Sequence, residues 1–203
     1  SEFWPKGYEA LAAINYALEG AKSVDAPEEE LNAVVAEGRF LRAFIHYHFV
    51  RLFGEIPYID VAFSDPALAY TLPQNPVADT YAGIIADLEF AKEWLPDAPA
   101  LRSRPGKGTA AGLLASVHLT LENWNDAYDE AKWVIDNSGS FQYALEGEFA
   151  DLFDPSIGAP SNELLFEIDF SGNDAAGAIG GSNPSTDYLA SVTGPRKDER
   201  FGM

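Results

Sequence analysis

The chain has 203 residues, of which 47% are hydrophobic and 13% aromatic, and its formal net charge is −19 at pH 7. That much apolar material supports a packed core and excludes wholesale disorder. The charge excludes nucleic acid as a partner, since phosphate neutralisation needs clustered Lys and Arg, and it disfavours direct adsorption to an anionic membrane. From Val134 to Gly194 there is no Lys or Arg at all.

The chain has no cysteine, which excludes disulfides, thiolate metal sites and Cys nucleophiles together. No apolar run is long enough to span a bilayer as a helix. Ser1-Glu2-Phe3-Trp4 has neither a basic segment nor an apolar one, so any export signal is expected to precede this chain.

In chain order, residues 5–22 read as a first helix, with Tyr8, Leu11, Asn15 and Leu18 at spacings of three and four. A second helix runs from about Pro27 to Phe53. Asp25 and Glu28 suggest a capping box, Glu28, Glu29 and Glu30 complement the dipole in the first turn, and Gly54 is a natural terminator. Projected at 100° per residue, Val34, Gly38, Leu41, Ile45 and Leu52 fall on one side, with Phe40, Phe44 and Tyr47 adjacent. Arg39, Arg42 and His46 mark the remaining polar face, and His48 projects onto the apolar arc. An arc this wide predicts neighbours on two sides, and Gly38, a poor helix former, predicts a close approach.

Glu55–Asn75 leaves helical periodicity, punctuated by Pro57, Pro66 and Pro73, and a loop of this length is often functional. Asn75 and Pro76 open a third helix carrying Tyr81, Ile84, Ile85, Leu88, Ala91 and Leu95, which Pro96 ends. Residues 108–121 and 124–137 form the clearest unit, with Leu114, Ala115 and His118 facing Ala127, Ala131 and Val134. This is the small-residue pattern of a tetratricopeptide hairpin; Val35–Phe53 with Pro76–Leu95 makes a degenerate second one. Beyond it, Phe141–Tyr143 reads as extended, Phe149–Phe153 as a short helical turn, Glu163–Phe170 as a strand and Ser171–Ser185 as a flexible loop. The expected fold is mainly α, built of tetratricopeptide-like helical hairpins over about 5–137. A strand and loop-rich segment over about 138–203 supplies a minor extended element.

No catalytic set emerges. No Gly-x-Ser-x-Gly elbow, P-loop or dinucleotide fingerprint is present. With 32 acids, some pair of carboxylates will match glycosidase spacing by chance, so that criterion decides nothing. His46 and His48 lie two apart, about 200° around a helix, and cannot share a metal ion. Asp154–Glu163 lacks the alternation of a calcium loop. No metal site, cofactor or catalytic residue is therefore expected. Glu37, inside the apolar arc, needs a partner, most plausibly an Arg or backbone donors. Trp94, Trp124 and Trp133 continue helical stripes and read as core. Trp4, Tyr58, Phe63, Tyr70 and Tyr188 lie outside strong helical patterns, which makes them the candidate ligand-binding aromatics, since flat rings stack on sugar faces.

Several runs together carry a family resemblance. Ala36-Glu37-Gly38-Arg39-Phe40-Leu41-Arg42-Ala43, followed by His46–Pro57 with its Phe53-Gly54-Glu55-Ile56-Pro57 ending, closely resembles the signature of the SusD/RagB family. Tyr81–Pro96, Gly108–Ala115 with Trp124 and Ala127, Asn162–Glu167 and Asp198–Phe201 are similar to further family segments, in the right order, with Glu199 replacing a Pro in the last. The resemblance covers nearly the whole chain and corresponds to the middle of a family member. On this reading the chain is a single partial domain lacking the N-terminal lipoprotein segment and the C-terminal part. It implies a non-enzymatic, lipid-anchored protein exposed on the outer membrane of Bacteroidetes-type bacteria. Such a protein captures glycan, or in some cases peptide, and passes it to a SusC-like TonB-dependent transporter. No sugar-contacting residue carries over by motif. The alternatives are a tetratricopeptide-like scaffold for a protein or peptide and, third, a fragment of an α-helical glycosidase.

Overall fold

In the computed structural model, residues 3–63, 65, 68, 71–153 and 161–168 are described. Tyr70, Tyr188, the 171–185 stretch and Asp198–Phe201 lie outside the described residues. The chain divides into two units, Ser1–Phe166 and Glu167–Met203, and the helices among the described residues lie in the first.

That unit consists of α1 (Phe3–Ala21), α2 (Glu28–Phe53), α3 (Val77–Trp94), α4 (Lys107–Thr120), α5 (Trp124–Asp136), a single turn α6 (Ser138–Phe141) and a short 3-10 helix at Phe149–Phe153. Each long helix packs on the next in sequence, the α1–α2 and α4–α5 pairs across short loops and the others across long ones. The mainly helical expectation holds.

α1 and α2 run antiparallel, and glycines set how closely they approach. Gly7 on α1 sits directly under the Phe49 ring, and Leu18 Cδ2 lies 2.8 Å from where a Cβ of Gly38 would stand. A larger residue at either position would push the helices apart, which gives the expected close approach at Gly38 its partner. α2 and α3 also run antiparallel, in clear register: Arg39 lies over Phe90, Arg42 meets Asp87, and Tyr47 meets Tyr81. Phe40, Ala43, Tyr47, Val50, Ile84, Leu88 and Leu114 form the centre of a core shared by α2, α3 and α4.

The structure corrects several details. The predicted apolar side of α2 is only partly covered: Val34 and Leu52 are each 64% exposed and Leu41 is exposed too, while Ile45 packs against the core and Gly38 against Leu18. The buried face is rotated toward Arg42 and His46, both expected on the polar side. Both polar side chains are fully partnered inside, so hydrophobicity alone misplaces the face. His46 is fully buried while His48 is only half-buried, the reverse of the projection. The capping box at Asp25 does not form: Pro27 occupies the N-cap without a side-chain hydrogen bond. Trp124 is 60% exposed rather than core, because it begins α5 at the edge of the bundle. Trp94 and Trp133 are half-buried. Phe141 ends a helical turn instead of lying in an extended run, and Gln142 takes φ +57°.

Glu163–Ile168 forms no ladder; the one bridge among the described residues joins Ile56 and Asn75. Among the described residues no neighbouring strand pairs with it. Helices hold it instead: Thr109 donates its hydroxyl to the Leu165 carbonyl at 2.8 Å, and Phe166 packs edge-on against Phe40 and Phe44. Glu37 finds the kind of partner expected, a two-point contact from the Arg104 guanidinium, although its side chain is partly exposed.

Candidate functional site

A groove of about 650 Å³ lies between α1 and the segment leaving α2. One wall is the helical row Trp4, Tyr8, Ala12 and Tyr16, and the other is Pro57, Ile59, Val61 and Phe63. The first four residues recur every four positions, so a single face of α1 presents them all. Pro5 and Glu9 edge the same space, and Glu9 is the one charged residue among the described lining residues. Its carboxylate pairs with Lys6 at 2.9 Å.

Of the sequence-predicted aromatics, Trp4 and Phe63, far apart in the chain, both line this groove, Trp4 beside Tyr8 and Phe63 beside Tyr16. Trp4 is held from behind: its ring lies parallel to Phe49, 5.5 Å between centroids and 3° between planes, with Phe53 edge-on at 4.8 Å. With Tyr8 tilted against it at 4.9 Å as well, the ring is fixed at one end of the groove. Tyr58 is not part of the lining. It turns inward, lies tilted against His46 with 4.5 Å between centroids, and meets Gly83 of α3. Tyr70 and Tyr188 lie outside the described residues. Sequence reasoning passed over Tyr8 and Tyr16 as ordinary helix residues. The four-residue spacing of Trp4, Tyr8, Ala12 and Tyr16 beside the Leu11–Asn15 core stripe was the available signal.

The Pro57–Phe63 wall has no regular secondary structure, yet its backbone is closely satisfied. Asn75 donates its backbone N–H to the Ile56 carbonyl at 2.8 Å and accepts the Tyr58 N–H through Oδ1 at 2.9 Å. Tyr8 donates its hydroxyl to Pro57 O at 2.9 Å, and Tyr16 donates to Phe63 O. Ile59 is held at both ends, its N–H donating to His46 Nε2 at 3.3 Å and its carbonyl accepting from Asn15 Nδ2 at 3.0 Å. Arg42 Nη1 reaches Asp60 O at 2.9 Å.

Beneath the wall is a buried polar cluster. Arg42 donates Nε and Nη2 to the two oxygens of Asp87, each at 2.7 Å, and Nη1 also to Asn15 Oδ1 at 2.9 Å. Burial pushes the Asp87 carboxyl up, opposed by the hydrogen bonds and charge of Arg42 and by Arg39 3.9 Å away. Burial likewise pushes His46 down to about 4, with the Arg42 charge acting in the same direction. His46 is therefore neutral near pH 7. Because Nε2 accepts from Ile59, Nδ1 carries the proton and donates to Arg42 O at 3.0 Å. Burial raises the Tyr8 and Tyr58 hydroxyls, which stay protonated donors.

Among the described residues no cluster of His, Asp and Glu is arranged to hold a metal ion, and no helix is long and apolar enough to cross a membrane. The lining offers aromatic and aliphatic surface with one carboxylate at its edge, an arrangement suited to binding a ligand with apolar faces.

Comparison with known proteins follows the same line. Residues 1–119 match the model of a SusD-like family whose description reads "Starch-binding associating with outer membrane". SusD-like protein P2 of Formosa agariphila is 46% identical over 98% of this chain, covering 38% of that relative. SusD-like protein P25 of the same organism is 27% identical over 98% of this chain, covering 40% of the relative. The chain thus spans about two fifths of the curated relatives it matches. Among solved structures, a SusD-like carbohydrate binding protein from Bacteroides fragilis superposes with a TM-score of 0.73 at 22% identity, over 82% of this chain and 32% of that one. A laminarin binding SusD-like protein superposes with a TM-score of 0.68 at 24% identity, over 74% and 34%. The helical fold is therefore shared with solved SusD-like proteins, and with the family match over more than half its length the chain belongs to the SusD-like family.

Proposed function

We propose that the full-length protein captures oligosaccharide or polysaccharide at the bacterial cell surface without turning it over. It is lipid-anchored to the outer membrane there and delivers the ligand to a SusC-like TonB-dependent transporter. In this reading the present chain is the helical part of a larger SusD-like domain. The family description and the glycans named for two fold neighbours, laminarin and a xylogluco-oligosaccharide, support it. The observation that carries it on this chain is that Trp4, Tyr8, Tyr16 and Phe63 all line one groove, three of them along a single face of α1. Sugar rings present C–H faces to such a platform, and rings already fixed by packing lose little entropy on binding.

A calorimetric screen of oligosaccharides against the full-length protein tests the reading. Saturable binding with unaltered sugar recovered at the end is expected. Binding to none of them, with affinity for the transporter retained, would contradict the glycan assignment; release of shortened products would contradict the non-catalytic one.

A second reading, a tetratricopeptide-like scaffold for protein or peptide, draws on one observation. Trp124, Tyr128 and Ile135 stand exposed along α5, at spacings that place them on one face.

A further inference from the structure

We infer that Asn15, Arg42 and His46 are positioning residues for the groove, buried side chains that set its Pro57–Phe63 wall from within. The inference rests on the reading of this groove as the ligand site.

A segment without a ladder or helix has no repeating hydrogen bonds to fix it, so its position follows from whatever satisfies its backbone. At Ile59, the buried residue in the middle of the wall, both backbone polar groups are taken by side chains of the bundle: His46 accepts the N–H and Asn15 donates to the carbonyl. The next carbonyl, Asp60 O, is taken by Arg42. Three consecutive tethers therefore come from α1 and α2, and Phe63 stands three residues beyond the last.

The tethers are not independent. The Arg42 guanidinium holds Asp87 of α3 with two nitrogens, while its third holds both Asn15 of α1 and the wall. One rigid planar group thus fixes the wall relative to three helices, one of which carries Trp4. A lysine has no such fork and cannot reproduce this geometry. Asn15 uses its two ends differently, its oxygen on Arg42 and its nitrogen on Ile59. The wall tether can therefore be removed while the bundle contact is kept.

The merely structural alternative is that this cluster only glues helices together. Asn15→Asp separates the two. The variant keeps an acceptor for Arg42 and loses the donor to Ile59 O. Arg42→Lys is the harsher companion, disturbing both wall and bundle. Amide hydrogen exchange on the full-length protein reads the outcome, together with calorimetry using the oligosaccharide that binds the wild type best. In Asn15→Asp, exchange across residues 57–63 is expected to accelerate about 10-fold or more while α4 and α5 keep their protection, and affinity falls about 10-fold. Unchanged exchange at 57–63, equal acceleration in every helix, or faster exchange there with unchanged affinity would each overturn the inference. If the wild type binds no oligosaccharide, the glycan reading fails on its own, and the exchange pattern still decides whether Asn15 holds the wall.

Discussion

Arg42 on α2 and Asp87 on α3 form a two-point ion pair inside the bundle, Nε to Oδ2 and Nη2 to Oδ1, each at 2.7 Å. Asp87 is 3% exposed and Arg42 7%, so removing either partner strands a charge away from water. Asp87→Ala is expected to destabilise the protein by about 3–5 kcal/mol, and the double variant Arg42→Met/Asp87→Leu by clearly less, because it leaves no orphan charge. Chemical denaturation of the three proteins checks this. Equal losses for the single and double variants would show that the pair contributes net attraction rather than mutual neutralisation.

Acid should weaken the fold through His46. Its ordinary value is 6.5 and burial takes it to about 4, so between those limits the unfolded chain binds a proton that the folded one refuses. Stability is then fully present above about pH 6.5, falls as the pH drops, and stops falling on this account near pH 4. The shift corresponds to about 3 kcal/mol at most. Denaturation midpoints measured from pH 7 to pH 4 should fall less steeply for His46→Gln than for the wild type. Parallel slopes would mean that His46 does not carry the dependence. Tyr58, which lies against the ring, and Arg42, which accepts from it, face His46, with Asp87 and Asp60 close to both.

Gly83 illustrates a glycine kept for space. A Cβ there would run into the end of the Tyr58 ring. That ring also lies against His46, 4.5 Å between centroids, which limits how far it can move aside. Gly83→Ala is expected to cost about 1–3 kcal/mol as an overpacking change. In the Tyr58→Ala background the added methyl has room, so a double-mutant cycle should show strong coupling; additive losses would contradict the contact.

Trp124 offers the opposite case. At 60% exposure on the edge helix it contributes little to the core, and Trp124→Ala should change stability by less than about 0.5 kcal/mol. A loss of several times that in thermal or chemical denaturation would place this residue inside the packing.

Helix existence was largely legible, because each of the five long helices carries its own period, cap or proline stop. The buried face of α2 was not. Hydrophobicity scales count Arg42 and His46 as surface residues, and only their partners on α1, α3 and the wall, 13 to 45 residues away in sequence, make burial tolerable. Similarly, Glu163–Ile168 alternates like a strand, but a strand requires a partner that composition cannot reveal. The candidate groove was legible only in part. Trp4 and Phe63 were singled out for lying outside strong periodicity, and they share a groove. Tyr58 met the same criterion, yet the structure turns it inward, since proximity to Gly83 is a tertiary fact. Tyr8 and Tyr16 were missed because a helical position was taken to mean core.

The central claim, that the Trp4–Phe63 groove holds the glycan, is tested most directly by calorimetry on the full-length protein. Its tightest oligosaccharide is titrated into the wild type, Phe63→Ala, Trp4→Leu and Trp124→Ala. The account expects Phe63→Ala and Trp4→Leu each to weaken binding by about 10-fold or more, roughly 1.4 kcal/mol, with Trp124→Ala unchanged. Wild-type affinity in both groove variants, with their folds intact by circular dichroism, would contradict it.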